Sequence, residues 1–343
     1  MSNMTGFILA TALACACAPA APDEQAPGPD EPGAEASEEV RAPEAPGGAT
    51  DAYVRPAAEG GALVQGDTVP GLPSWTRQDR EVLRATVTWA WENGVDRLPV
   101  GERVARIGET FVGAPYIPQT LDPSGPERLV INLRAYDCVT YIENILALAH
   151  FVREEPRDIL DRPEDAMRRY AERITRIRYR DGRLAGYPSR LHYFSEWLAD
   201  NERKGVLQLV TSELGGVVDP EPITFMTAHR DAYKQLADTS VYAEIGRIER
   251  RLNEVPRHYL PERRVAAVAE RIQTGDVIAA TSTLDGLDIA HTGIALWKDG
   301  TLHLMHAPLV GKDVQISELP LAERILDIKS QDGIMVARPL EAR

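Results

Sequence analysis

The sequence predicts an α+β domain on three observations. Val139, Ile142, Ile145, Leu146 and Ala149 recur at helical spacing after Asp137, the pattern of a helix with one apolar stripe. Asp288–Trp297 and Thr301–Ala307 read as strands joined by the turn Lys298-Asp299-Gly300, an antiparallel hairpin. Between helix and hairpin, charged stretches from about Pro163 to Arg180 and from Ala243 to Arg251 read as helices with solvated faces, so a helical insertion is expected there. Of 343 residues, 43% are hydrophobic and 26% charged, the balance of a soluble globular protein.

Ahead of this domain lie two segments of different character. Residues 1–17 read as a signal peptide: Gly6 to Ala18 is apolar, built of small residues and too short to span a bilayer. It leads into Leu13-Ala14-Cys15-Ala16-Cys17, as at a bacterial lipoprotein cleavage site, so Cys15 or Cys17 is the expected lipidated residue. No Lys or Arg precedes the apolar run, a departure from that pattern. Residues 18–74 read as a linker. Their Pro/Ala/Glu-rich part buries too little apolar surface to offset the entropy of ordering, and it is expected to be extended. The expected location is the cell envelope or periplasm, with membrane contact only through the N-terminal lipid. Residues 75–343 form the working domain.

Charge is unevenly placed. The formal net charge is −14, and residues 18–60 hold ten Asp/Glu against two Arg, a net of −8. That leaves −6 for residues 61–343, with no basic face of the kind that tracks phosphates. Nucleic acid is excluded as an expected partner.

Cysteine usage narrows the chemistry. Three cysteines occur, two of them in the processing site, which leaves Cys138 as the lone thiol expected in the folded domain. Asp137 is a good N-cap, so Cys138 falls in the first helical turn. There the unpaired N–H groups and the helix dipole favour a thiolate and offer donors to an oxyanion. The ordinary alternative is a small buried hydrophobe.

A cysteine nucleophile needs an imidazole to carry its proton. With a two-residue loop at Asp299-Gly300, Lys298 pairs with Thr301, Gly293 faces His306, and His291 is a diagonal neighbour on the same face. His303 then points to the other face, unless a bulge reverses the choice. Gly293 is expected to spare space for the two rings. His291 is the candidate base, and His306 the group that fixes its tautomer. A zinc site on His291, His303 and His306 needs all three on one side, so no metal and no cofactor is expected.

Asp137-Cys138, His291-Thr292-Gly293-Ile294 and His306-Ala307 resemble the NlpC-like cysteine peptidases of bacterial cell walls, which share a papain-like core. More narrowly, Gly113-Ala114-Pro115-Tyr116, Val130–Arg134, Tyr136–Asn144, Tyr187–Phe194, Phe225-Met226-Thr227, Gly275–Ile278, Gly286-Leu287-Asp288 and Leu302–Ala307 resemble the N-acetylmuramoyl-L-alanine amidase-like family across about residues 75–340. The resemblance implies a Cys-bearing helix packed on an antiparallel sheet. It implies hydrolysis of the amide between N-acetylmuramic acid and L-alanine, or of a nearby bond, with peptidoglycan or muropeptide as substrate. It also implies that Tyr116 lines the site and that Asp137 sits near the free end of the peptide; a core aromatic and a helix cap are the plainer readings. Arg190 could pair with a peptide carboxylate, and His192 could contact substrate or compete as the base, beside structural roles for both. Three other readings stay open: an endopeptidase cutting between D-glutamate and the diamino acid, a non-catalytic envelope lipoprotein, and acyl transfer to an acceptor other than water.

Overall fold

A computed structural model describes residues 75–123, 125–309 and 313–341. The leader and linker, with Cys15 and Cys17, lie outside the described residues. Five helices come first or early in the chain: α1 (Arg77–Glu92), α2 (Val100–Glu109), α3 (Cys138–Glu154), α4 (Pro163–Arg178) and α5 (Phe194–Arg203). Strands β1 (Leu207–Leu209) and β2 (Val217–Asp219) precede α6 (Phe225–Ala228) and α7 (Thr239–Asn253). Then follow β3 (Arg257–Pro261), α8 (Glu262–Val268), β4 (Val277–Ser282), β5 (Ile289–Lys298), β6 (Thr301–His306), β7 (Gln315–Ile316), α9 (Leu321–Asp327) and β8 (Gln331–Pro339).

The strands form one antiparallel sheet in the order β2-β3-β8-β4-β5-β6-β7, with β1 also pairing β8. Alternation along the strands gives the sheet two apolar faces. Val277, Ala279, Ile294, Met305 and Met335 pack with residues of α1 to α5, while Ile278, Ala280, Leu304, Ile334 and Val336 pack with Val265 of α8 and Leu321 and Ile325 of α9. The segment between α3 and β4 is therefore not purely helical as expected. It contributes β1, β2 and β3 to the sheet. Two of those strands are three residues long, too short for a period of two to stand out in the sequence.

Helix α3 starts where its sequence predicts. Asp137 accepts from Val139 N and Thr140 N, and Thr140 returns a bond to the Asp137 backbone, which closes a capping box. The expected single stripe is too narrow a description, because α3 is buried on nearly every side between the sheet and the other helices. The solvated reading of the charged helices also needs correction at two residues: Arg178 in α4 and Glu249 in α7 are buried.

The hairpin forms in the expected register. Lys298 pairs with Thr301, Leu296 with His303 and Ile294 with Met305. Asp299 and Gly300 both have positive φ, 51° and 76°, as a two-residue turn of this twist requires. A bulge is present, but it lies between β4 and β5, at Ala280/Thr281, and leaves the β5–β6 register intact.

Candidate active site

The hairpin brings two imidazoles into contact. His291 Nε2 lies 2.6 Å from His306 Nδ1, and the rings meet edge to face at 84° with centroids 4.8 Å apart. Both are buried, at 4% and 2% exposure. Burial pushes the His291 pKa well below the ordinary imidazole value, helped by His306 and by the Arg324 guanidinium; burial and Arg324 do the same to His306. The pair is therefore neutral near pH 7. His303 takes no part: its Nδ1 is 2.8 Å from Ser317 O. At Gly293 a Cβ would lie 2.6 Å from Leu304 Cδ1 and 2.9 Å from Met305 O, so the glycine admits the neighbouring strand.

Cys138 is fully buried at the first position of α3. Thr292 Oγ1 donates to the Cys138 carbonyl at 2.9 Å, so the strand residue next to His291 is fastened to the start of the helix. Cys138 is the one cysteine among the described residues, and a nucleophilic role belongs to its reduced form. The first-turn donors are also partly committed. Asp137 Oδ1 accepts from Val139 N at 3.1 Å, Thr140 N at 2.8 Å and Thr140 Oγ1 at 2.8 Å. Those N–H groups are engaged in the cap. Burial pushes the Asp137 pKa up against the lowering effect of these bonds.

Tyr116 is buried, and its backbone bridges Tyr136, two residues before Cys138. Asp137 and Val139, on either side of Cys138 in sequence, line a cleft of about 120 Å³ that Arg190 and His192 also line. The Arg190 fork is occupied within the chain: Nη1 donates to Leu121 O at 3.0 Å, Nη2 donates to Asp122, and Glu127 lies 3.6 Å from Nε. His192 Nε2 is 2.9 Å from Tyr187 O, and burial followed by Arg190 drives its pKa well below the ordinary value. Among the described residues no group of three or more His, Cys, Asp or Glu is placed to hold a metal ion.

Three residues of this region were not singled out from the sequence. Arg324 of α9 acts on both imidazoles; its own pKa is pushed down to about 10 by burial. Glu143 and Arg178 form a buried ion pair on the cleft wall, Nε to Oε2 at 2.7 Å. Both left a trace. Glu143 is the only charged residue between Cys138 and Val152. Arg178 continues the spacing of Tyr170 and Ile174 onto the apolar face of α4.

The fold and site define a mixed α+β protein with a buried, neutral imidazole pair on one hairpin of its sheet and a helix that begins at a buried cysteine. The family model described as AmiA-like, N-acetylmuramoyl-L-alanine amidase-like, matches residues 106–334, and the chain belongs to that family. Among solved structures, an N-acetylmuramoyl-L-alanine amidase from Bacteroides uniformis is similar at 36% identity and TM-score 0.65, covering 71% of this chain and 99% of its own. A Bacteroides fragilis protein provisionally named a xylanase is similar at 35% identity and TM-score 0.61, covering 67% of this chain and 98% of its own. The Legionella pneumophila protein LPG0564, at 18% identity and TM-score 0.55, shares the fold over 77% of this chain and 95% of its own. No curated protein matches.

Proposed function

We propose that this chain is a cysteine amidase of the NlpC-like, papain-fold superfamily that hydrolyses the N-acetylmuramoyl-L-alanine amide of cell-wall peptides. The observation that carries the reading is the 2.6 Å contact between His291 Nε2 and His306 Nδ1, with Thr292, the next residue, fastened to the Cys138 carbonyl. Family membership and the name of the Bacteroides uniformis structure support the choice of bond.

In the tautomer in which His291 Nε2–H donates to His306, the other nitrogen, Nδ1, holds a lone pair for the thiol proton. The reduced Cys138 sulfur adds to the lactyl carbonyl of the muramoyl group. His291 then passes its proton to the alanine nitrogen, the C–N bond breaks, and the peptide leaves as an amine. Water, deprotonated by His291, attacks the thioester, releasing the muramoyl carboxylate and restoring the thiol. His306 orients the ring and stabilises it while it is charged. In this reading residues 1–17 export the chain, Cys15 or Cys17 carries a lipid anchor, residues 18–74 tether the domain, and residues 75–343 do the chemistry in the cell envelope. Palmitate labelling of expressing cells, with Cys15→Ser and Cys17→Ser compared, tests the anchor.

Mass spectrometry of muropeptides digested by the reduced protein tests the activity. The expected products are free muramoyl sugar and intact peptide. Sugar still bearing a dipeptide identifies an endopeptidase instead, and unchanged substrate removes the hydrolase reading.

A further inference from the structure

The cleft beside α3 contains a donor that the proposed chemistry does not use. Arg178 ends α4, is 2% exposed, and is clamped on two sides. Its Nε donates to Glu143 Oε2 at 2.7 Å and its Nη1 to Val130 O at 2.5 Å. Trp197 Nε1 takes the other Glu143 oxygen at 3.2 Å, which fixes the acid as well. Arg178 lines the cleft, and among the described residues its Nε and Nη1 are bonded while its Nη2 makes no hydrogen bond. Asp137 and Arg190 are both close enough for their charges to act on Arg178, which places it between the helix start and the Arg190 wall.

Charge decides what such a donor can read. The lining carries Asp122, Asp137 and Glu143 against Arg178 and Arg190, an excess of one carboxylate. Glu127, 3.6 Å from Arg190, raises that excess to two. Burial pushes the carboxyls of Asp137, Glu143 and Glu127 up, and donors suited to the ionised form oppose it: the Val139 and Thr140 N–H groups at Asp137, Arg178 and Trp197 at Glu143, and Tyr179 Oη at Glu127, while Arg190 donates to Asp122. Burial and Arg190 keep His192 neutral. A carboxylate entering this confined space adds to an existing surplus, at a cost that low effective dielectric magnifies. A neutral carbonyl accepts the same N–H without adding charge.

We propose that Arg178 donates from Nη2 to an uncharged carbonyl of the peptide stem, and that the cleft thereby selects stems whose second-residue carboxyl is amidated over stems in which it is free. The inference rests on the amidase reading above. Glu143 has two tasks in it: it fixes the guanidinium plane and cancels its charge.

Two substrates that differ only at that carboxyl test it, N-acetylmuramoyl-L-alanyl-D-isoglutamine and N-acetylmuramoyl-L-alanyl-D-glutamate, with the reduced full chain. The expected kcat/KM is about tenfold higher for the amidated compound, chiefly through KM. Glu143→Gln keeps an acceptor for Arg178 but leaves the guanidinium uncompensated, so it is expected to close or reverse the preference. A merely structural ion pair alters both substrates alike. Equal wild-type rates, a wild-type preference for the free acid, or a Glu143→Gln effect common to both substrates overturns the inference and leaves the amidase reading standing. The wild-type comparison decides even where the variant does not fold. Hydrolysis of neither substrate is a failure of the reading itself, and the inference falls with it.

Discussion

The domain contains two buried polar pairs, one on the β5–β6 hairpin and one between α3 and α4, and they solve the problem of burial in opposite ways. His291 and His306 come from adjacent strands of one hairpin, and burial drives both rings to the neutral form, with the cation of Arg324 acting in the same direction. Glu143 and Arg178 come from two helices and meet as ions at 2.7 Å. The first pair can take up or release a proton without breaking a charge contact. The second holds its charges because each is the other's counterion. In the proposed chemistry, proton transfer belongs with the histidines and fixed recognition with the ion pair.

Loss of turnover should separate the pairs most sharply. Cys138→Ala and His291→Ala are each expected to lower kcat by at least about 10³-fold with far-UV circular dichroism unchanged, and His306→Ala by about 10²-fold, since it acts through His291. Wild-type rates in His306→Ala would break the relay. The ion pair should matter next, and through stability. Glu143→Ala leaves a guanidinium buried without its counterion and should cost about 3–5 kcal/mol in urea unfolding. A loss below about 1 kcal/mol would show that the pair is not buried as described.

Acid should weaken the imidazole pair in a predictable direction. Unfolded histidines take up protons as pH falls through about 6.5, while the buried rings resist doing so. Stability contributed by the neutral pair is present above that pH and is lost as pH falls toward the depressed folded values. The slope is up to about 1.4 kcal/mol per pH unit for each histidine. Urea midpoints between pH 7.5 and 5.5 should therefore fall more steeply for wild type than for H291Q/H306Q. Asp137 and Glu143, whose carboxyls burial pushes up, act in the opposite direction in both proteins and cancel from the difference. Parallel curves would contradict buried neutral rings. The smallest effect is expected at the cap: Asp137→Ala should cost about 1 kcal/mol of stability, read from the same unfolding curves.

What could be read in advance followed from local rules. The turn at Asp299-Gly300 fixed the hairpin register, and the register paired His306 with His291. Asp137 announced the start of α3 because capping is chemistry within four residues. Arg178, Glu143 and Arg324 were not legible as site residues, because each acquires its meaning from a partner distant in sequence. Glu143 and Arg178 stand 35 positions apart, and Arg324 reaches the imidazoles from a helix beyond β7. The short strands β1 and β2 escaped for a related reason. They exist because β8 and β3 offer edges to pair with, and three residues carry too little pattern alone.

The proposed chemistry requires that the Cys138 sulfur become acylated by the muramoyl group during turnover. Acid-quenching the reduced protein seconds after mixing with muropeptide, followed by mass spectrometry of the peptide that contains Cys138, measures this directly. A muramoyl adduct on that cysteine is expected, absent in Cys138→Ala; an adduct on another residue, or product released at the wild-type rate by Cys138→Ala, would rule out the thioester.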